Sequence, residues 1–201
     1  MTAAFFTIFI VRFLAWGVLA ATAILWLSNI FDNGIQLAGL FIPIATLTGM
    51  YTALSNLVSI SSTPLAGTFS DKLGRRWPIV GWSMILGALA LWLMSGDLRI
   101  PALVGAFLVP IAGSSTETML PAIAGDRVPK ELRSRALGLI NTAGDLGAAI
   151  GPFAALGILN AGWLSLDSIY RIGAGLFVVV AVLALSPLTS RTVTEVKPSG
   201  G

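Results

Sequence analysis

The sequence predicts an all-α membrane protein, a bundle of six transmembrane helices. Three observations carry that reading. First, 56% of the 201 residues are hydrophobic, only 10% are charged, and the mean hydropathy is +0.89. A soluble domain carries nearer ~25% charged residues, and so few charges could hardly cover a water-facing surface. Second, stretches of about 20 mostly apolar residues, the length a spanning helix needs, recur six times between turn-forming residues. Third, the basic residues gather in alternate connections, as membrane topology requires. The same composition excludes other classes. With no Cys there is no disulfide scaffold, and with no Cys or His there is no Cys/His zinc site, no His-based triad and no imidazole switch. Intrinsic disorder is excluded by the apolar content. The sequence pI of 9.8 points weakly to nucleic acid, but the net charge is only +3 and the cations sit in short loops.

The spans follow in order. The first covers about residues 5–31. No basic segment precedes it, and its apolar stretch is far longer than the ~7–15 residues of a signal-peptide core, so it reads as a retained helix. Asp32, Asn33 and Gly34 end it. The second covers 37–66. The third covers 78–95, with Pro78 suited to a first turn and Gly96-Asp97 closing it. The fourth covers 101–124 and contains Pro110 and Pro121. The fifth covers 135–159 and the sixth 169–188. Short connections make consecutive helices antiparallel neighbours within one domain, residues 1–188. The polar segment 189–201, ending Pro198-Ser199-Gly200-Gly201, reads as a flexible tail.

Charge sets the orientation. With both termini cytoplasmic, the loop between spans two and three holds Lys72, Arg75 and Arg76. The loop between four and five holds Arg127, Lys130, Arg133 and Arg135, and the tail holds Arg191 and Lys197. Only Arg99 and Arg171 then fall outside, and Arg12 lies within the first span. The positive-inside rule selects this arrangement.

One cytoplasmic loop carries more than charge. It reads Gly67-Thr68-Phe69-Ser70-Asp71-Lys72-Leu73-Gly74-Arg75-Arg76. Gly67 suits a helix end that another helix approaches closely. Asp71 is an anion in a basic cluster, suited to pairing or capping. Gly74 suits a tight turn, and the guanidinium forks of Arg75 and Arg76 suit carboxylates across the loop. The segment resembles the G-x-x-x-D-[RK]-x-G-R-[RK] signature of the major facilitator superfamily. In the fifth span, Gly147-Ala148-Ala149-Ile150-Gly151-Pro152 resembles the core of that family's fifth-helix motif, although Ala155 and Leu156 stand where the family continues with glycines. Gly147 and Gly151 make a small-xxx-small face for helix packing, and Pro152 bends the helix. Residues 128–138 resemble the loop that precedes helix five in the same superfamily.

The resemblance covers nearly the whole chain but one six-helix half of a twelve-helix transporter. It implies two inverted three-helix repeats. It also implies a cytoplasmic conformational latch formed by Gly67, Asp71, Lys72, Gly74, Arg75 and Arg76, with Asp126 as the partner of Arg75.

Three ionisable residues lie inside spans: Arg12, Glu117 and Asp145. Such residues are costly in hydrocarbon and belong against a partner or a cavity. At ~1.5 Å per residue, Arg12 and Glu117 are each roughly 10 Å from the cytoplasmic end of their helices and Asp145 some 15 Å. All three are candidates for cavity lining or ion coupling, with Arg12 and Glu117 facing the cavity as a pair. Snorkelling of Arg12, an interhelical hydrogen bond from Glu117, and a bond from Asp145 to Asn141 are the structural alternatives. The family's drug–proton antiporters carry an arginine in helix four, where this chain has Glu117. Span two carries a stripe, Thr48, Thr52, Ser55, Ser59 and Ser62, widened by Asn56 and Thr63. It serves helix packing, an aqueous path or an interface. Trp26, Trp92, Trp163 and Trp77 read as interfacial anchors, and Trp16 and Trp82 as packing residues.

The expected function is secondary transport of a small solute by alternating access, without a cofactor, metal or enzymatic step. The family varies substrate, coupling ion and direction over one scaffold, so none is implied. The expected partners are the lipid bilayer and a second six-helix half, from a homodimer or another chain. The expected location is a plasma membrane, bacterial inner membrane foremost. The alternative is a structural or assembly subunit docked in a larger membrane complex.

Overall fold

The computed structural model describes residues 2–186 except 38 and 74; the side chains of Asp71 and Arg127 also lie outside it. The predicted tail lies beyond these residues. Helix α1 runs Thr2–Phe31 and contains a π-helical segment, Phe13–Leu19. It ends at Asp32, the sole non-glycine residue with positive φ (53°) among those described. The chain then forms a hairpin, β1 (Gly34–Leu37) and β2 (Leu40–Pro43), with Ile35 opposite Ile42. It continues into α2 (Ile44–Leu73), α3 (Trp77–Met94), α4 (Arg99–Arg127), a 3-10 turn (Lys130–Leu132), α5 (Arg133–Asn160) and α6 (Leu166–Leu185).

The hairpin corrects the expected second span. Leu37 and residues 39–43 are strand and turn, and the helix starts at Ile44. A short apolar run fits strand and helix alike. Glycine decides here. Gly34 has φ 150°, and a Cβ on it would stand 2.2 Å from the Ile42 carbonyl oxygen, while Gly39 turns the chain with φ 82°. Pro43 closes the strand, and Ile44 N–H donates to the Asn33 carbonyl at 3.0 Å, sealing the hairpin's base. Helix α6 begins three residues earlier than the sequence suggested. Ser165 caps it by accepting from the Ser168 N–H, and Asp167 sits in its first turn.

Five helices, α1, α3, α4, α5 and α6, are long and apolar enough to cross a bilayer. Helix α2 has 30 residues, and its row of hydroxyls and amides makes it more polar. Helix α1 is central and touches α2, α4, α5 and α6; α3 lies between α4 and α6, and α2 lies along α4. The core is aliphatic and aromatic, with Val11, Met84, Leu120, Ile140 and Phe177 fully buried. Glycines admit large neighbours to it: a Cβ on Gly87 would stand 2.9 Å from the Phe177 ring, and one on Gly81 2.5 Å from Leu185.

Two prolines release carbonyls that neighbouring helices use. Without an N–H, Pro110 leaves the Ala106 carbonyl of α4 free, and the Tyr51 hydroxyl of α2 donates to it at 3.3 Å. Pro152 likewise frees the Ala148 carbonyl of α5, which lies against the backbone of Gly17 on α1. Backbone polar groups in a bilayer must find partners inside the protein, and these bends turn lost intrahelical bonds into contacts between helices.

The tryptophans sort differently from their expected depths. Trp26 is 2% exposed and donates to the Met94 carbonyl at 3.2 Å, and Trp77 is also buried, so both belong to the core. Trp82 is 66% exposed and Trp16 48%, so neither is packed into the core of this chain; Trp92 and Trp163 are exposed. Sequence depth gives height along a helix, not the direction a ring faces.

Candidate functional site: an ionic cluster beside an interhelical cleft

The three intramembrane ionisable residues meet. Arg12 Nε donates to Glu117 Oε1 at 3.1 Å, and Arg12 Nη1 to Asp145 Oδ1 at 2.5 Å. Arg12 thus spans from α4 to α5, and Asp145 turns to it rather than to Asn141. Trp16, one turn beyond Arg12 on α1, donates its indole N–H to the same Glu117 oxygen at 2.9 Å. One cation stands against two carboxylates. Arg12 and Glu117 are each 23% exposed at the side chain, whereas Asp145 is 72% exposed.

Glycines position this cluster. A Cβ on Gly144 would stand 2.6 Å from Arg12 Cδ, so the bare backbone there lets the arginine stem pass. A Cβ on Gly147 would stand 2.4 Å from the Phe9 carbonyl oxygen, and one on Gly151 2.6 Å from Gly17 Cα. Gly147 and Gly151 therefore seat α5 on α1, backbone against backbone. The π segment begins directly after Arg12, and Gly17 lies inside it. Sequence reasoning missed Gly144 and Trp16. The Gly144-Asp145-x-Gly147 spacing held a signal for the first, and the i, i+4 spacing of Arg12 and Trp16 for the second.

One turn from the cluster is a cleft of about 200 Å³ between α1, α2 and α4. Trp16, Tyr51, Ser55, Asn56, Ser59 and Ser114 are among the residues that line it. Arg12 precedes Trp16 by four residues and Glu117 follows Ser114 by three, so both helices carry the cluster along the same end of the cleft, ~5.4 Å away. The stripe on α2 divides. Thr48 and Thr52 hydroxyls bond back to their own helix, Ser62 crosses to Ser114 at 2.8 Å, and the middle residues face the cleft.

At the end of the bundle where α1 begins, Asp126 pairs with Arg76 at 2.7 Å, not with Arg75 as the sequence suggested; Arg75 is exposed. Arg76 immediately precedes α3, which packs side by side with α4, and so it meets the last turn of α4 directly. Gly67 does not end its helix. It sits within α2 with nothing within 4 Å of where a Cβ would stand. Lys72 is exposed in the last turn, the Asp71 backbone continues that helix, and Gly74 lies outside the described residues.

Long apolar helices holding a paired charge cluster beside a cleft define a multi-pass integral membrane protein. The chain belongs to the Major Facilitator Superfamily, whose family model matches residues 4–201. It is 31% identical over 123 residues to the steroid transmembrane transporter SLC22A24 of Rattus norvegicus, an alignment covering 59% of this chain and 22% of that protein. It is 34% identical over 91 residues to the MFS-type transporter pydD of Acremonium sp, covering 45% of this chain and 16% of that protein. The aligned segment thus spans about a fifth of the length of these relatives.

Proposed function

We propose that the chain is one six-helix half of a secondary transporter that moves a small solute by alternating access, with both termini cytoplasmic. The transport cavity closes against a second half, supplied by another copy, another chain or the remainder of a longer protein. The observation that carries this reading is the Arg12–Glu117–Asp145 cluster, joined across three helices about one turn from the cleft. Paired charges at such depth are retained where they serve a solute or ion path. The names of the two relatives, both transporters, support transport; both are eukaryotic and lend nothing to a bacterial membrane. Helices α2 and α5 expose much of their surface, Phe153 at 82%, as helices facing a second half do. The Arg76–Asp126 pair, together with the motif residues Gly67, Asp71, Lys72, Gly74 and Arg75 of the same sequence segment, is the latch of the outward-facing state.

The chain has no cysteine, which permits a test that needs no substrate. With Ser59→Cys in oriented vesicles, a membrane-impermeant maleimide should label from either face, and Asp126→Asn should shift the balance between faces. Labelling from one face only, unmoved by Asp126→Asn, refutes alternating access at this cleft.

A further inference from the structure

We infer that the cleft takes a small organic cation, an ammonium head carrying an aromatic or aliphatic body; this rests on reading the cleft as the solute site. Charge is the first argument. Arg12 is shared between Glu117 and Asp145, so the cluster at the cleft's end carries one net negative charge. Glu117 Oε1 is occupied twice, by Arg12 and Trp16, while the Asp145 side chain, on α5 and outside the cleft's lining, is 72% exposed and reaches the cleft's end through its charge alone. An anionic solute meets repulsion there, and a cation supplies the missing charge.

The second argument is the aromatic wall. Trp16 lines the cleft and is half exposed. Its N–H donates to a carboxylate, which pushes electron density toward the ring and strengthens the face that attracts cations. Tyr51 adds a second ring to the same cleft. The third is size. At about 200 Å³ the cleft is below the ~300–1,000 Å³ usual for drug-sized ligands, so the solute has a compact head and a body no larger than one ring. The hydroxyl and amide groups of Ser55, Asn56 and Ser59 give the remaining wall weak, adaptable polarity without a further charge.

The test is equilibrium binding of radiolabelled phenyltrimethylammonium to the chain in nanodiscs. The competitors are tert-butylbenzene, its neutral isostere, and benzenesulfonate. Saturable binding is expected, displaced by unlabelled cation and by neither competitor. Asp145→Asn and Glu117→Gln should each weaken it about tenfold, the scale of one charge-assisted contact, and Trp16→Leu by a similar factor. Asp145 is exposed, so its isosteric variant keeps the fold even if Glu117→Gln does not. The inference is overturned if the neutral isostere or the sulfonate competes as well as the cation. It is equally overturned by an absence of saturable binding, or by an Asp145→Asn affinity within about twofold of the parent. Cysteine labelling reports separately on transport. Cation binding without two-sided access removes the transport reading and keeps the site, and two-sided access without charge preference does the reverse.

Discussion

Replacing Gly151 by alanine should separate α1 from α5. The added Cβ would stand 2.6 Å from both Gly17 Cα and the Phe13 carbonyl oxygen, well inside the 3.4 Å at which ordinary contact begins. Both obstacles are backbone. No side-chain rotation relieves them, so the helices must part along their whole crossing. Overpacking of this kind costs about 1–3 kcal/mol. Helix propensity works in the opposite direction, since alanine is worth up to about 1 kcal/mol over glycine. With the full propensity gain the net loss is about 0–2 kcal/mol, and the gap to a glycine-to-alanine change without a clash is the whole 1–3 kcal/mol. The control is Gly157→Ala, on the same helix, where nothing lies within 4 Å of the added atom; it should be neutral or stabilising. Reversible unfolding in a mild detergent titrated with a denaturing one measures both. Equal stability of the two variants would refute backbone-to-backbone contact as the seat of α5.

Further outcomes follow from other contacts. Tyr51→Phe should cost about 0.5–1.5 kcal/mol, the value of one hydrogen bond, and should become silent in a Pro110→Ala background, where the Ala106 carbonyl regains an intrahelical donor; a double-mutant cycle reads this. Arg12→Gln should destabilise more than Asp145→Asn, because it leaves Glu117 without its cation while Asp145 is far less buried, its side chain 72% exposed against 23%; the same unfolding titration ranks them. Arg76→Gln should alter two-sided labelling at Ser59→Cys while Arg75→Gln leaves it close to the parent, with little effect on stability from either, since the Arg76–Asp126 pair is largely exposed and worth under about 1 kcal/mol. Asp71→Asn should impair vesicle flux while leaving membrane insertion intact, and unchanged flux would count against the latch.

Much of the helical layout was legible in the sequence because length and apolar content are one-dimensional properties. The starts of α3, α4 and α5 fall within two residues of expectation. The depths of Arg12, Glu117 and Asp145 followed from rise per residue, so their meeting was within reach of counting. Azimuth was not. Whether Trp26 faces the Met94 carbonyl or the lipid depends on how helices rotate against one another, and no count along one helix contains that. The hairpin escaped because Leu37, Leu40, Phe41 and Ile42 look the same to a hydropathy window in either conformation. Only the two positive-φ glycines decide, and Asp32-Asn33-Gly34 already marked the turn. Asp126 was expected to pair with Arg75, but Arg75 and Arg76 are adjacent, and choosing between them needed the start of α3.

The glycine crossing also has a mechanical meaning. Side chains at a helix interface act as springs, yielding by rotamer before the backbones shift. Between α1 and α5 the springs are missing at Gly17, Gly147 and Gly151, so the two helices are coupled rigidly and move as one lever. Arg12 and Asp145 ride on that lever together. Glu117 rides on α4, which meets α1 less tightly: a Cβ on Gly113 would stand 3.9 Å from the Ala15 methyl, an ordinary contact. Any rocking of the bundle therefore leaves one half of the ionic cluster intact and works on the other, which makes the Arg12–Glu117 bond the joint at which motion is felt.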